Sequence, residues 1–331
     1  MLRRTSLLLL IIAAVLAFGG AGAAQDDDLP VVVLDLRKPF DQRLMDFAVD
    51  TLATTPAHLF VLQVDSPGIA SGDPSPLLLA IETAPAPVVV WVGARPAVAY
   101  GAVASLLNRA DLGAAAPGTR LGYLNPAVMS EAHDIAPRID RFPGSTEEER
   151  IADAVAATMI LTSNSLVVEE PIPGFVEQVV PSIGQLIVDL DGEVITRGET
   201  TFEVKTAETV VLEDGREVMS PSRRVEFLKP GLWDRFLRLA SEPEATFFFL
   251  VAAIAAATFE FYAVGVGVSA AASVLAFLLA GYGLATLPIS WQSVGSVVVG
   301  LVLYTWDFQR NRLGWRSVLG TALLVVGGLT I

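Results

Sequence analysis

The chain contains no cysteine and only two histidines, His58 and His133, among its 331 residues. Without cysteine it can form no disulfide framework, no thiolate zinc site and no cysteine nucleophile. Charged side chains are also scarce, at 18% of the residues, against about 25% in an average soluble domain. The net charge of −14 excludes a protein that binds nucleic acid through a basic surface. With a mean hydropathy of +0.55, the composition predicts that part of the chain lies in lipid.

The hydrophobic residues are concentrated towards the C-terminal end of the sequence. Residues 245–331 contain few charged side chains, namely Glu260, Asp307, Arg310, Arg312 and Arg316. Apolar stretches in this region are each close to the roughly 20 residues that an α-helix needs to cross a bilayer. They cover about 245–262, 264–287, 288–306 and 313–331. We therefore predict an all-α membrane domain of four spans over residues 245–331.

The first 24 residues have the features of a secretory signal peptide, with a basic start at Arg3 and Arg4, an apolar core and a small-residue end. An uncleaved anchor helix is the alternative, and either segment carries the following domain across the membrane. The last connection between apolar stretches is rich in arginine, as expected for a cytoplasmic loop. The opposing feature is a basic cluster before the first stretch, made up of Arg223, Arg224, Lys229, Arg235 and Arg238. We give priority to the signal and expect a multi-pass protein of the cytoplasmic (inner) membrane with its soluble domain outside the cytoplasm.

Residues 223–244 form a juxtamembrane segment that includes a short amphipathic helix, Pro230 to Ala240. Its apolar and charged residues separate onto opposite faces, as Trp233 and Arg235 illustrate. Such a helix either lies among the lipid headgroups or packs against the soluble domain, and the sequence leaves both alternatives open. Membrane lipid is an expected partner of the chain.

Residues 25–222 show the alternation of strands and helices that is typical of an α/β domain. Apolar, β-branched runs at Val31–Leu36, Leu59–Val64 and Val88–Val92 predict strands that are buried on both faces of a parallel sheet. Helical spacing follows the first strand, from Phe40 to Leu52, and a further helix is predicted over Ala97–Leu107. We expect a sheet of parallel strands covered by helices.

Several short motifs follow one another along the chain. They are Asp65-Ser66-Pro67-Gly68, Ala99-Tyr100-Gly101-Ala102, Ala116-Pro117-Gly118-Thr119, Phe259-Glu260-Phe261 and Leu287-Pro288-Ile289-Ser290-Trp291. Their order and the apolar tail resemble the long-form NfeD proteins, which are membrane-bound relatives of the ClpP-class serine proteases. The resemblance implies a ClpP/crotonase-like βα-spiral domain ahead of the membrane domain. The family's C-terminal OB domain is expected to be absent, because the fourth apolar stretch runs to Ile331.

The resemblance places Ala99 where the proteases of the family carry the serine of a Ser-Lys dyad. A methyl group cannot attack a carbonyl, and no lysine lies between Lys38 and Lys205 to act as the base. The family's oxyanion loop has two glycines, of which this chain keeps Gly68 and replaces the second by Ile69. A β-branched residue there disfavours the positive φ that glycine allows. The degenerate oxyanion site and cleft around Ala99 comprise Gly68, Ile69, Tyr100 and Gly101, with no catalytic residue.

Other hydroxyl groups can replace the missing serine only with a base beside them. Ser105 is predicted about two helical turns beyond residue 99 and facing elsewhere, whereas Ser130, His133 and Asp134 are close in sequence, as in a polar loop rather than a triad. We predict no metal and no cofactor. We therefore expect a catalytically inactive serine protease homologue that acts as a membrane scaffold or binding module. The resemblance implies a stomatin/prohibitin-type membrane partner and a homo-oligomer. The alternative is a membrane-anchored serine peptidase with a non-standard nucleophile.

Overall fold

Thirteen strands and ten α-helices make up the part of the chain that the computed structural model describes, which is residues 29–122, 136–163, 165–197, 200–211, 217–262, 267–287, 290–310 and 314–330. The strands are β1 (Val31–Arg37), β2 (Leu59–Asp65), β3 (Val88–Val92), β4 (Val98–Tyr100), β5 (Leu112–Ala115), β6 (Thr119–Gly122), β7 (Leu166–Val168), β8 (Gln178–Val179), β9 (Val194–Arg197), β10 (Thr200–Glu203), β11 (Ala207–Val211), β12 (Glu217–Pro221) and β13 (Val225–Leu228). The helices are α1 (Gln42–Thr54), α2 (Ser75–Thr83), α3 (Ala102–Arg109), α4 (Glu147–Ser163), α5 (Ile183–Asp189), α6 (Leu232–Ala240), α7 (Pro243–Tyr262), α8 (Val268–Thr286), α9 (Trp291–Gln309) and α10 (Trp315–Thr330).

Six of the strands form a parallel sheet in the order β13, β1, β2, β3, β5, β8. Successive residues of a strand point to opposite faces. Val32 and Leu34 of β1 therefore join the core beneath α1, α2 and α3, while Val31 and Val33 join the core that includes α5. Because both faces are covered, the strands are unbroken apolar runs in the sequence. The predicted α/β domain ahead of a helical membrane region is confirmed.

A smaller sheet, in the order β4, β6, β7, contains part of the segment that the sequence assigned to a helix. Residues 98–100 are extended in β4, and α3 begins only at Ala102. The Val98 N–H donates to the Asp65 carboxylate at 3.0 Å, and the Val98 carbonyl accepts from the Ser66 N–H at 2.7 Å. These bonds to the chain leaving β2 hold Val98 in an extended conformation. The prediction of a helix from Ala97 was wrong because no local pattern encodes this long-range pairing.

Strand β13 comes from the segment that the sequence treated as juxtamembrane. It pairs in parallel with β1, with Val225 opposite Val31 and Leu228 opposite Leu34. The central sheet therefore continues past the boundary that the sequence placed after residue 222. The chain then passes from this edge strand almost directly into α6, which ties the sheet to the membrane region.

Four helices, α7 to α10, lie where the apolar stretches were predicted. Two segments, Pro243–Glu260 and Val268–Thr286, are long and apolar enough to cross a membrane, and Trp315–Leu329 forms a shorter apolar helix. Helices α9 and α10 pack closely at small residues: a Cβ on Gly300 would lie 2.8 Å from the Gly320 carbonyl oxygen. The number of helices that cross the bilayer remains a prediction.

Candidate functional site

Two of the motifs come together at the C-terminal end of β2. Ser66, directly after β2, forms a parallel β-bridge with Ala99 of β4. The Ser66 N–H donates to the Val98 carbonyl at 2.7 Å, and the Tyr100 N–H donates to the Ser66 carbonyl at 3.3 Å. The loop that contains Gly68 and the start of α3 thus meet at one edge of the sheet. Open α/β sheets commonly bind their ligands at this edge.

Gly68 and Gly101 adopt conformations that residues with side chains rarely reach, with φ of 140° and 60°. The Gly68 carbonyl accepts hydrogen bonds from the Phe40 N–H at 3.0 Å and from the Ser66 hydroxyl at 2.9 Å. The Gly101 N–H donates to the Gly122 carbonyl at 2.9 Å. One glycine therefore turns the loop after β2, and the other lets α3 start immediately after β4.

Ile69, which replaces the second glycine of the family's loop, does not have a positive φ. Within the described ranges, Lys38 is the only residue other than glycine with a positive φ. Ile69 instead forms a β-bridge with Phe40 and is 5% exposed in the larger core. The positive φ falls one residue earlier, on Gly68. The backbone at Ile69 thus lacks the positive φ that a β-branched residue disfavours, and the isoleucine fills core space.

Ala99 has hydroxyl groups nearby, and none of the described lysine or histidine side chains bonds to them. The residue is fully buried, and Ser66 on the bridged segment donates its hydroxyl proton to the Gly68 carbonyl. The buried hydroxyls of Ser105 and Thr119 have no hydrogen-bond partner in the part of the chain that the structure describes. In those same ranges, no lysine or histidine side chain bonds to any of these hydroxyls.

His58, the histidine that the structure describes, lies away from the motifs at the end of β2. His58 precedes β2, so the full length of that strand separates it from Ser66. Its Nε2 accepts a hydrogen bond from the Lys205 N–H at 3.0 Å. Ser130, His133 and Asp134 lie outside the described residues, as does the predicted signal peptide.

The cleft that the sequence predicted around Ala99 is closed in this structure. Its residues are all buried, namely Gly68, Ile69, Ala99, Tyr100 and Gly101. The Tyr100 N–H, which the resemblance makes an oxyanion donor, is already hydrogen bonded to the Ser66 carbonyl. A peptide could reach this backbone only after β4 and the Gly68 loop had separated.

Sequence reasoning missed a charged cavity of about 540 Å³ at the same edge of the sheet. It lies where β1 and β2 end, at Arg37 and Asp65, and it extends to Lys229 and α6. Asp35 on its wall lies 2.5 Å from Arg37 and 3.4 Å from Lys229. Burial disfavours the charge of this carboxylate, but the two cations outweigh that effect and lower the pKa of Asp35. The sequence contained part of the information needed to find this cavity, because Arg37 and Asp65 directly follow the apolar runs of β1 and β2.

The membrane region matches a known family. Residues 244–331 match the family model described as the NfeD integral membrane domain. The chain therefore carries an NfeD membrane domain, and the membrane character predicted from its apolar stretches is confirmed. No curated protein sequence shows significant similarity to the chain.

Several solved structures are similar to this chain at low sequence identity. The 1510-N membrane protease specific for a stomatin homolog from Pyrococcus horikoshii is 19% identical over 64% of this chain and 98% of its own, with a TM-score of 0.42. A mutant of the 1510-N membrane-bound stomatin-specific protease in complex with a substrate peptide is 21% identical over 63% and 96%, with a TM-score of 0.42. A putative enoyl-CoA hydratase/isomerase from Mycobacterium abscessus is 16% identical over 45% and 66%, with a TM-score of 0.32.

Proposed function

We propose that this NfeD-like membrane protein is a catalytically inactive serine protease homologue whose α/β domain works as a binding or assembly module. The domain lies outside the cytoplasm and is held at the cytoplasmic membrane by four spans. The observation that carries the proposal is the buried Ala99, a hydrocarbon side chain at the position that the family resemblance gives to the nucleophile.

Acyl transfer needs a nucleophile, a base to activate it and donors for the oxyanion. Ala99 offers no nucleophile, and the neighbouring Ser66 hydroxyl is bonded to the Gly68 carbonyl. The Tyr100 N–H is bonded to the Ser66 carbonyl, so it is not free to receive an oxyanion. The glycines that shape the loops are nevertheless present. These features support a protein that keeps the loop geometry of the fold but does not catalyse acyl transfer.

A serine-hydrolase probe tests the absence of catalysis. We expect the purified full-length chain in detergent to remain unlabelled by a fluorophosphonate, with an active serine hydrolase in the same detergent as the positive control. An Ala99→Ser variant should also remain unlabelled, because the introduced hydroxyl is buried and no described lysine or histidine side chain bonds to the neighbouring hydroxyls. Labelling of the parent chain that disappears in Ser66→Ala or Ser105→Ala would establish the alternative, a peptidase with a non-standard nucleophile.

The partner part of the proposal concerns a stomatin/prohibitin-type membrane protein and further copies of this chain. It follows from the family resemblance, and the 1510-N protease is itself specific for a stomatin homolog. Affinity purification of the tagged full-length chain from its native membranes should recover such a protein, and chemical crosslinking should give a discrete homo-oligomer. Recovery of the tagged chain alone, as a monomer, would reject this part of the proposal.

A further inference from the structure

Helix α6 exposes its apolar side and buries part of its basic side. Leu232 and Trp233 are 78% and 66% exposed, whereas Arg238 is 9% exposed. The Arg238 guanidinium donates to the Arg37 carbonyl at 2.8 Å and lies 3.8 Å from the Asp41 carboxylate. The charged side therefore anchors α6 on the α/β domain, while Leu232 and Trp233 on the apolar side stay largely exposed.

The apolar side of α6 is continuous with the membrane domain. Only Ser241 and Glu242 separate α6 from α7, and α6 also contacts α8. Trp233 and Phe236 stack on the exposed side, with ring centroids 5.8 Å apart. Outward aromatic and aliphatic side chains on an amphipathic helix beside a span are typical of a helix that lies among lipid headgroups. The inner side of α6 then lies at the depth of the lipid phosphates.

That inner side forms one wall of the charged cavity. The cations that line the cavity are Arg37, Lys38, Lys229, Arg235 and Arg238. Its carboxylates are Asp35, which two of these cations share, and Asp65, which accepts the Val98 N–H.

The cavity keeps a positive excess after its ion pairs are counted. Asp41 and Glu242 pair with Arg238 and Lys38 from outside the lining, and even with these two the cations outnumber the carboxylates. Arg235 makes no ion pair with any residue that the structure describes. In a chain with a net charge of −14, this concentration of basic groups is a local exception.

We propose that this cavity binds the phosphodiester of an anionic lipid headgroup. Guanidinium and ammonium groups are the usual protein ligands of phosphate. A volume of about 540 Å³ lies within the range of small-molecule sites, and the unpaired Arg235 supplies the charge that a bound phosphate neutralises. The position at headgroup depth favours a lipid over a soluble phosphate or an acidic peptide. A bound lipid holds the α/β domain in one orientation on the membrane, because the cavity walls come from both the sheet and α6.

Lipid titration of the full-length chain in a neutral detergent tests this site. We expect phosphatidylglycerol to raise the thermal unfolding midpoint in a saturable way, since a ligand that binds only the folded state stabilises it, and phosphatidylcholine to have a much smaller effect. Arg235→Gln should weaken the apparent affinity for phosphatidylglycerol roughly fivefold, which is what one basic residue near an anionic membrane surface contributes. Lys229→Gln provides a second variant if the first is unstable.

The matched control is Arg224→Gln. Arg224 precedes β13 at the end of the sheet away from the cavity, and its side chain is 74% exposed. Its removal should leave the apparent affinity for phosphatidylglycerol unchanged. An equal loss of affinity in this control would show that the lipid binds through the overall surface charge and not in the cavity. The proposal would be overturned if phosphatidylglycerol had no saturable effect on the thermal unfolding midpoint. Displacement of the lipid by equimolar glycerol 1-phosphate would assign the site to a soluble phosphate, and stronger displacement by an acidic peptide would assign it to a protein partner.

Discussion

Gly283 of α8 is a residue whose missing side chain allows two helices to touch. A Cβ at this position would lie 2.1 Å from Thr246 Oγ1 and 2.3 Å from the Ala240 carbonyl oxygen. The Thr246 hydroxyl donates to that same carbonyl at 2.7 Å, so the contact joins α6, α7 and α8. We expect Gly283→Ala to lower the free energy of unfolding by about 1–3 kcal/mol, as overpacking of a close contact does. Thermal unfolding of the full-length chain in detergent measures this loss.

The same helix supplies the control for this prediction. Gly281 has no atom within 4 Å of an added Cβ. Gly281→Ala should be neutral or stabilise the helix by up to about 1 kcal/mol, because alanine has the higher helix propensity. Equal losses in the two variants would show that helix geometry, rather than the contact, is responsible.

Asp35 makes the stability of the chain depend on pH at the acidic end. Burial opposes its charge, but Arg37 and Lys229 more than compensate, so the folded pKa of Asp35 lies below its ordinary value of 3.8. A carboxylate with a lowered folded pKa contributes stability that is present above the unfolded pKa and is lost as the pH falls through the folded one. Asp35→Asn should therefore destabilise the chain at neutral pH, and its difference from the parent should shrink below about pH 4.

Thermal unfolding midpoints of the two proteins across the acidic and neutral range measure this effect. Asp50→Asn is the control, because Asp50 is exposed on α1 and forms no ion pair with a described residue. A difference between Asp35→Asn and the parent that stays constant with pH would mean that the substitution acts through packing.

At the scale of elements, sequence patterns were informative where burial is uniform. The runs at Val31–Arg37, Leu59–Asp65 and Val88–Val92 are buried on both faces, so composition alone identifies these strands. Strand β4 is only three residues long and exists because of its bonds to the chain after β2. Strand β13 pairs with β1 from the far end of the domain. Pairings over such distances leave no local signature, so both elements were misplaced.

For the candidate site, the sequence predicted some of the residues but not how they are paired. The motifs identified Gly68 and Ala99, but not the Ser66–Ala99 bridge that closes the site. The cavity was not predictable, because it joins the ends of β1 and β2 to Lys229 and α6. A sequence motif identifies residues that are close together in the chain, such as those of one loop. A cavity depends instead on how elements that are distant in sequence pack against one another.

The position of α6 can be measured because the chain has no cysteine. A Leu232→Cys variant carrying a polarity-sensitive fluorophore should show blue-shifted emission and quenching by brominated lipids when the full-length chain is in vesicles. Leu232 is 78% exposed on the side of α6 that we place among headgroups. Leu79→Cys is the control, because Leu79 is 60% exposed on α2 of the α/β domain. The same emission from both sites would place α6 in water.

For the whole molecule, the basic cluster before the first membrane helix remains the feature that opposes an external domain, although the folded domain pairs part of it. Arg224 lies 2.5 Å from Glu226, Lys229 lies 3.4 Å from Asp35 and Arg238 lies 3.8 Å from Asp41. The folded domain therefore pairs these three cations, whereas Arg235 of the same cluster makes no ion pair with a described residue. Between α9 and α10, the Arg310 and Arg316 guanidinium groups lie 5.7 and 5.1 Å from the centroid of the Trp306 ring, as expected at a membrane interface, and Arg316 also lies 3.9 Å from the Asp307 carboxylate.

This distribution of charge predicts the orientation of the whole chain. If the signal directs translocation and all four helices cross, the α/β domain lies outside and the connection between α9 and α10 lies in the cytoplasm. In intact cells, a membrane-impermeant maleimide should label Leu79→Cys, whereas Gln309→Cys should be labelled only after permeabilisation. The cysteine-free parent is the blank for both. The reverse pattern would mean that the chain has the opposite orientation in the membrane. Labelling of both sites in intact cells would mean an even number of crossings between them, because each crossing changes the side on which the next segment lies.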